Sequence, residues 1–329
     1  MADPILRIRA SGYGGSGYAI PTRTDTAEPR TDKKQKMLKV PGVTTVLGAL
    51  DKPGIVQWAV DNTAAYAVAN ADTLADRDED WGFKYLRFYH HRKPDYDDPE
   101  VNIHNYHEGV LNDLANTGTI IHEAIESYVN DDVFGAPTFT KQGQVDAFER
   151  FLDWVDENDV VFEQCETTVL NPELGYAGTL DLVIVKDGKR YLVDTKSSRY
   201  PLSKKTGRVL IHTSHISQVA SLAQAKVAIR PTAEVDGREH TIHKDLYWEE
   251  FDMPEYDGYA VLQVRPTSVD DYGNEIPAFC EFHEIDKRLM EPAFQQFKGA
   301  LLARQGEYAL KQVNKVLEKE YEEVLSPWG

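Results

Sequence analysis

Apolar residues recur at helical spacing from Ile55 to Ala71, and Pro53 precedes them where a proline suits a first helical turn. The same period places Ile121, Ala124, Ile125 and Tyr128 on one stripe of a helix expected to start near Ile120, after Thr117-Gly118-Thr119. A second helix is expected from about Gln142 to Asn158, burying Val145, Phe148, Leu152 and Val155. Trp81–His91 reads as a further helical piece between acidic breaks at Asp76–Asp80 and Asp95–Glu100. From Val160 the period drops to two. Val160–Leu170, Tyr176–Lys186 and Arg190–Lys196 are expected strands, with turns at Asn171–Gly175 and Asp187-Gly188. Ile211–Ile229 returns to helical spacing, and Tyr259–Arg265 and Ala278–Ile285 to strand spacing. The C-terminal segment is an amphipathic helix system with Phe294, Phe297, Leu301, Tyr308, Leu317, Tyr321 and Val324 on its apolar face, interrupted at Gly299 and Gly306.

This order predicts an α/β fold with three regions. Residues 1–117 form an N-terminal arm and a mainly helical region, 118–285 a mixed α/β core, and 286–329 a C-terminal helical segment. In the arm, Ile5–Arg9 and Tyr18–Pro21 suggest two short strands around a glycine-rich turn, followed by a polar basic stretch, Arg30–Lys39. Gly12, Gly14 and Gly17 spell the spacing of a dinucleotide fingerprint, but that motif needs a helix N-terminus directly after the glycines. Tyr-Ala-Ile-Pro follows instead, so a hairpin loop is expected and no nucleotide cofactor.

Composition narrows the class. The chain has 329 residues, 41% of them hydrophobic, which excludes disordered and collagen-like sequence. No run of 18 apolar residues spans a membrane, and Met-Ala-Asp-Pro opens no secretory signal. A reducing cytoplasm is the expected compartment. Cys165 and Cys280 are too few for a disulfide framework or an iron–sulfur cluster. The net charge of −18 argues against a coat for DNA or RNA, but allows an enzyme with one local basic groove.

Candidate chemistry lies in the second expected hairpin. Of the Asp-x-Lys triplets at Asp32, Asp187 and Asp194, only the last ends an apolar strand, Tyr191-Leu-Val. Side chains two apart on a strand share a face, so Asp194 and Lys196 project together. Asp181, on the preceding strand, can lie near Asp194. Adjacent buried carboxylates repel, and a hard divalent cation relieves that cost. A surface hairpin with solvated carboxylates and an incidental lysine accounts for the same residues equally well. His122 and Glu126, four apart, share a helix face, where a lone histidine also serves structure. Gln218 is either a helix-surface residue or a contact to bound nucleic acid.

Together these residues resemble the PD-(D/E)XK nuclease superfamily, in particular its RecB-like and phage-encoded exonuclease branch. The motifs run in the family's order: Gly118-Thr-Ile-Ile-His122 with Glu126, Glu166, Gly178-Thr-Leu-Asp181, Val193-Asp194-Thr-Lys196, then Gln218. Val40-Pro-Gly-Val-Thr-Thr-Val-Leu, Asp51-Lys-Pro and Trp58 are similar to the N-terminal segment of phage members, so the resemblance spans about 40–225. It implies a restriction-endonuclease-like mixed central sheet flanked by helices. It also implies a Mg²⁺- or Mn²⁺-dependent deoxyribonuclease, an exonuclease of phage recombination, replication or repair. By that resemblance His122, Asp181, Asp194 and the carbonyl of Thr195 would hold the metal. Lys196 would position the attacking water and stabilise charge on the phosphate; Glu166 matches a common acidic position, and Gln218 the glutamine after the catalytic strands. Leu222 stands where the branch often has tyrosine. DNA is the implied partner, with a phage single-strand annealing or recombination protein beside it. Degenerate members that bind DNA or assemble without cleaving commonly lose one of the two aspartates or the lysine, and all three are present here.

A local basic groove has two candidates. Arg199, Lys204, Lys205 and Arg208, with Ser197, Ser198 and Thr206 as hydrogen-bond donors, follow the catalytic strand. Lys84–Lys93 interleaves Tyr85, Phe88 and Tyr89 with basic residues, a pattern that suits single strands or a helix core. His104 with His107 and His240 with His243 lack the companions of a zinc site and read as surface histidines.

Overall fold

The computed structural model describes residues 6–8, 17–21, 37–50, 53–69, 106–132, 135–197, 200, 202–231, 248–269 and 274–325. Trp81–His91, the Lys84–Lys93 patch, His104, His240, His243, Ser198 and Arg199 lie outside the described residues. Contacts divide the chain into one unit of Met1–Leu50 with Ile121–Gly329, and another of Asp51–Ile120.

In the larger unit, β1 (Leu6–Ile8), β2 (Gly17–Pro21) and β3 (Met37–Pro41) form a small antiparallel sheet, leading into α1 (Val43–Leu47). The smaller unit holds α2 (Pro53–Ala69) and the first part of α3 (Tyr106–Val129). Then come α4 (Gln142–Glu157), β4 (Val161–Asn171), β5 (Tyr176–Lys186), β6 (Lys189–Lys196), α5 (Thr213–Ala223), β7 (Val227–Pro231) and β8 (Trp248–Asp252). The chain closes with β9 (Gly258–Arg265), the short pair β10 (Ser268–Val269) and β11 (Glu275–Ile276), β12 (Phe279–Glu284), and α6 (Met290–Leu325).

Seven strands form one mixed sheet in the order β12-β9-β6-β5-β4-β7-β8, parallel between β6 and β9 and antiparallel elsewhere. Strand alternation gives the sheet two apolar faces. Leu192 joins Val43, Val219, Leu222 and Phe297 of α1, α5 and α6 on one face. Tyr191 and Val193 join Ile121, Ile125, Phe151 and Trp154 of α3 and α4 on the other. This is the mixed α/β architecture, helices flanking a central sheet, that the sequence predicts. The β5–β6 hairpin turns on Asp187 (φ 52°) and Gly188 (φ 72°), the doubly left-handed backbone of a tight type I′ turn.

Several expectations are corrected. The expected helix over Ile211–Ile229 ends at Ala223, and Val227–Pro231 is a strand beside β4. Its alternating β-branched residues suit a sheet, and Ala228 is buried there. The helix expected from Ile120 begins at Tyr106, so Gly118 lies inside it, as Gly299 and Gly306 lie inside α6. A helical glycine costs about 1 kcal/mol, too little to break helices of 24 and 36 residues. Leu317, expected on the apolar face of α6, is exposed. Strands β3 and β8 were not expected from the polar stretches that carry them.

Gly178 has a packing role. A Cβ there would lie 2.6 Å from Leu222 Cδ2 and 3.1 Å from Val43 Cγ2. Gly178→Ala should therefore cost about 1–3 kcal/mol by overpacking α1 and α5 against β5. Chemical denaturation measures this, and an unchanged midpoint would show that the contact yields freely.

Candidate metal centre

Three local irregularities converge at one end of the central strands. The β5–β6 ladder runs from Lys186–Lys189 to Leu182–Val193 and stops, one residue before Asp181 and Asp194. Alternation along β5 also slips there, because Leu180 and Val183 face one apolar cluster while Leu182 and Ile184 face the other. On β4, Cys165 pairs with Leu182 and Thr167 with Leu180, so Glu166 stands opposite Asp181. Glu166 itself adopts φ 46°, a left-handed backbone that costs a side-chain-bearing residue roughly 1 kcal/mol or more. Such strain in a strand persists where the surrounding packing fixes it, and it aims the carboxylate along an unusual direction.

Asp181 replaces the missing ladder bond with its side chain. Its Oδ2 accepts from the Thr195 amide at 2.7 Å and from Thr195 Oγ1 at 2.8 Å. Buried Ile121 and Ile125 fix the roll of α3, which brings His122 over this strand end. His122 Nε2 lies 2.9 Å from the Thr195 carbonyl, and both ring nitrogens lie within 3.1 Å of Thr195 Oγ1. A carbonyl only accepts, so Nε2 carries the proton in this arrangement. Nδ1 then presents its lone pair 3.8 Å from Asp181 Oδ2. Burial holds the imidazole below its ordinary pKa, against the pull of Asp181, which favours the neutral ring a metal ligand needs.

His122, Glu166 and Asp181 each offer a ligand atom, and these atoms all lie within 4.8 Å of one another. It is the sole such group among the described residues. One imidazole nitrogen and two carboxylates could hold a divalent ion, and oxygen-rich sets of this kind suit Mg²⁺ or Mn²⁺.

Asp194 and Lys196 occupy the opposite face of β6 from Thr195. Lys196 Nζ stands 2.7 Å from Asp194 Oδ2 and donates to the Thr195 carbonyl at 3.1 Å. Asp194 is 1% exposed; Lys196 is the donor beside its Oδ2, and Oδ1 meets no hydrogen-bond partner. Desolvation pushes its pKa up to about 7, against the opposing pull of Lys196. Desolvation also pulls Lys196 down, but Asp194, Asp181 and Glu166 outweigh it and hold the ammonium above its ordinary pKa. The ammonium compensates the buried carboxylate's charge, and Oδ1 keeps its lone pairs for one further donor or cation.

The structure thus gathers His122, Asp181 and Thr195 with Glu166, whose role the sequence left open. Asp194 pairs with Lys196 outside that group. Glu166 lacked a local signal, since neither its left-handed backbone nor the ladder's end is written in residue spacing. Ser197 is half-buried just beyond Lys196. Lys204, Lys205 and Arg208 are exposed on a turn closed by the Leu202–Val209 bridge and by a 2.8 Å bond from the Ser203 amide to the Arg208 carbonyl. Gln218 is half-buried on α5, and Leu222 is packed against Gly178. His107 faces Thr63 Oγ1 at 3.5 Å.

No family model and no curated protein matches the chain. Among solved structures, the crystal structure of LHK-Exo in complex with dAMP is similar over 60% of this chain and 92% of that one, with 12% identity and a TM-score of 0.28.

Proposed function

We propose that this chain is a divalent-metal-dependent deoxyribonuclease. The observation that carries the reading is the convergence of His122, Glu166 and Asp181 around one point, with the Lys196 ammonium close enough to feel both carboxylates. A bound Mg²⁺ or Mn²⁺ would supply Lewis acidity toward a phosphodiester oxygen and a lowered pKa for bound water. Asp181, fixed by two bonds from Thr195, would keep its remaining lone pairs directed at the ion. Asp194 and the Thr195 carbonyl, ligands by the sequence resemblance, would anchor Lys196. That ammonium would orient the attacking water and offset charge on the phosphate. Exonuclease action, on DNA of a phage recombination or replication system beside a single-strand annealing protein, is the form that the resemblance implies.

Digestion of end-labelled single- and double-stranded DNA with Mg²⁺ tests this. Label should be released in the presence of the ion and retained once a chelator is added; intact DNA under both conditions would overturn the reading.

The turn bearing Lys204, Lys205 and Arg208 is the proposed phosphate contact after the catalytic strand, with Ser197, Gln218 and, by its place in the sequence, Arg199 as further candidates. Neutralising those three residues should reduce the slope of log binding constant against log salt by about one unit for each contact removed. The same slope in the triple variant would take the turn out of the interface.

A further inference from the structure

Helix α6 has two apolar faces, and its own core uses one of them. Ala293, Phe294, Phe297, Ala300 and Leu301 are buried in the cluster that covers one face of the sheet. One turn further the same face becomes polar, where Arg304 donates to the Thr45 carbonyl at 3.3 Å and to Glu307 at 3.0 Å.

A second stripe begins where the first ends. Gly299, Leu302, Gly306, Ala309, Val313 and Val316 recur at alternating intervals of three and four, the spacing of a coiled-coil seam. Ala303, Leu310 and Leu317, seven apart, widen it on one side. Every other position from Arg304 to Lys315 is Arg, Gln, Glu, Tyr, Lys or Asn. Gly306 follows Phe297 by nine residues, about two and a half turns, so this stripe points away from the core. Its large side chains, Leu302, Leu310, Val313, Val316 and Leu317, are between 54% and 69% exposed. Single exposed leucines are ordinary on a protein surface, whereas a contiguous uncharged stripe marks a contact.

The two glycines point the same way. A Cβ on Gly299 or Gly306 would meet nothing within 4 Å, so packing within the chain requires neither. Glycine weakens a helix interior, and what it offers in return is close approach by another backbone.

We infer that this face of α6 binds the same face of a second copy, antiparallel, about a two-fold axis between Gly306 and Ala309. In that register Gly299 faces Val316, Leu302 faces Val313 and Gly306 faces Ala309 of the partner subunit, so all six seam positions are filled. The small residues fall at the axis, where the helices come closest. Charge selects the direction. Four glutamates and one lysine follow the seam over Glu318–Glu323. Antiparallel pairing sets these acidic ends apart, each along the N-terminal half of the other helix, where the dipole is positive and Lys298 stands. Parallel pairing would bring both acidic ends together. The metal centre uses none of these residues, and the inference is independent of the nuclease reading.

Sedimentation equilibrium of the full chain from about 1 to 200 µM tests it, in about 0.15 M salt to screen the net negative charge. The seam offers nine positions per copy, against about 20–30 residues a side in a standard interface, so a micromolar dissociation constant is expected. Leu302→Lys and Val313→Glu, both at exposed positions, should each weaken the dimer by at least about tenfold and leave thermal unfolding of the dilute monomer unchanged. An equimolar mixture of these two variants should recover much of the dimer, because the substituted positions face each other across an antiparallel seam. A mixture no tighter than either variant alone would overturn the antiparallel pairing. Wild type that stays monomeric throughout the range, or variants that dimerise as wild type does, would overturn the inference and leave the stripe to another occupant.

Discussion

Lys196→Ala should lower the rate of DNA cleavage by about a thousandfold and leave DNA binding within a few-fold of wild type. The lysine holds the only ammonium in contact with Asp194 among the described residues. Removing a preorganised donor of this kind typically costs a factor of about 10² to 10³ in kcat. It also leaves Asp194 buried without its partner, and breaking a buried pair can cost about 3–5 kcal/mol. Part of that cost is avoided, because a carboxyl whose pKa burial has already pushed up to about 7 can take a proton and become neutral. Thermal unfolding measured beside the kinetics separates the two effects. A folded variant with activity within a few-fold of wild type would mean that the lysine has been misassigned.

Asp181→Asn should shift the Mg²⁺ concentration for half-maximal activity upward by at least about tenfold. An asparagine oxygen can still accept from the Thr195 amide, so the strand end keeps its shape while the site loses a negative charge. Glu166→Gln should give a shift in the same direction. This second variant distinguishes two ligand sets: His122, Glu166 and Asp181, which lie within 4.8 Å, and the set implied by the resemblance, in which Asp194 takes the third place. A metal requirement left unchanged by Glu166→Gln and raised by Asp194→Asn would favour the second set.

The core of the sheet was legible because β4, β5 and β6 carry alternating or continuous apolar runs broken by strong turn signals. Asp194 and Lys196 were legible for the same reason, as polar residues ending an apolar strand. His122 followed from its place one residue after Ile121, on a helix whose buried stripe is clear. What the pattern hid was set by long-range pairing. Trp-Glu-Glu-Phe-Asp reads as polar, yet its backbone pairs with β7 and forms β8 at one margin of the sheet. Val227–Pro231 continues a helical spacing, and only pairing with β4 makes it a strand. Tyr106–Gly118 joined α3 despite Gly109 and Gly118 because the helix gains more from continuity than two glycines cost. Glu166 became a candidate ligand through its left-handed backbone and its register opposite Asp181, neither of which local spacing encodes.

The most direct measurement is a calorimetric titration of the full chain with Mn²⁺. The account predicts saturable binding of about one ion per chain, weakened at least about tenfold in Asp181→Asn and weakened also in Glu166→Gln and His122→Ala. Binding unaffected by all three substitutions, or no saturable binding at millimolar Mn²⁺, would contradict it.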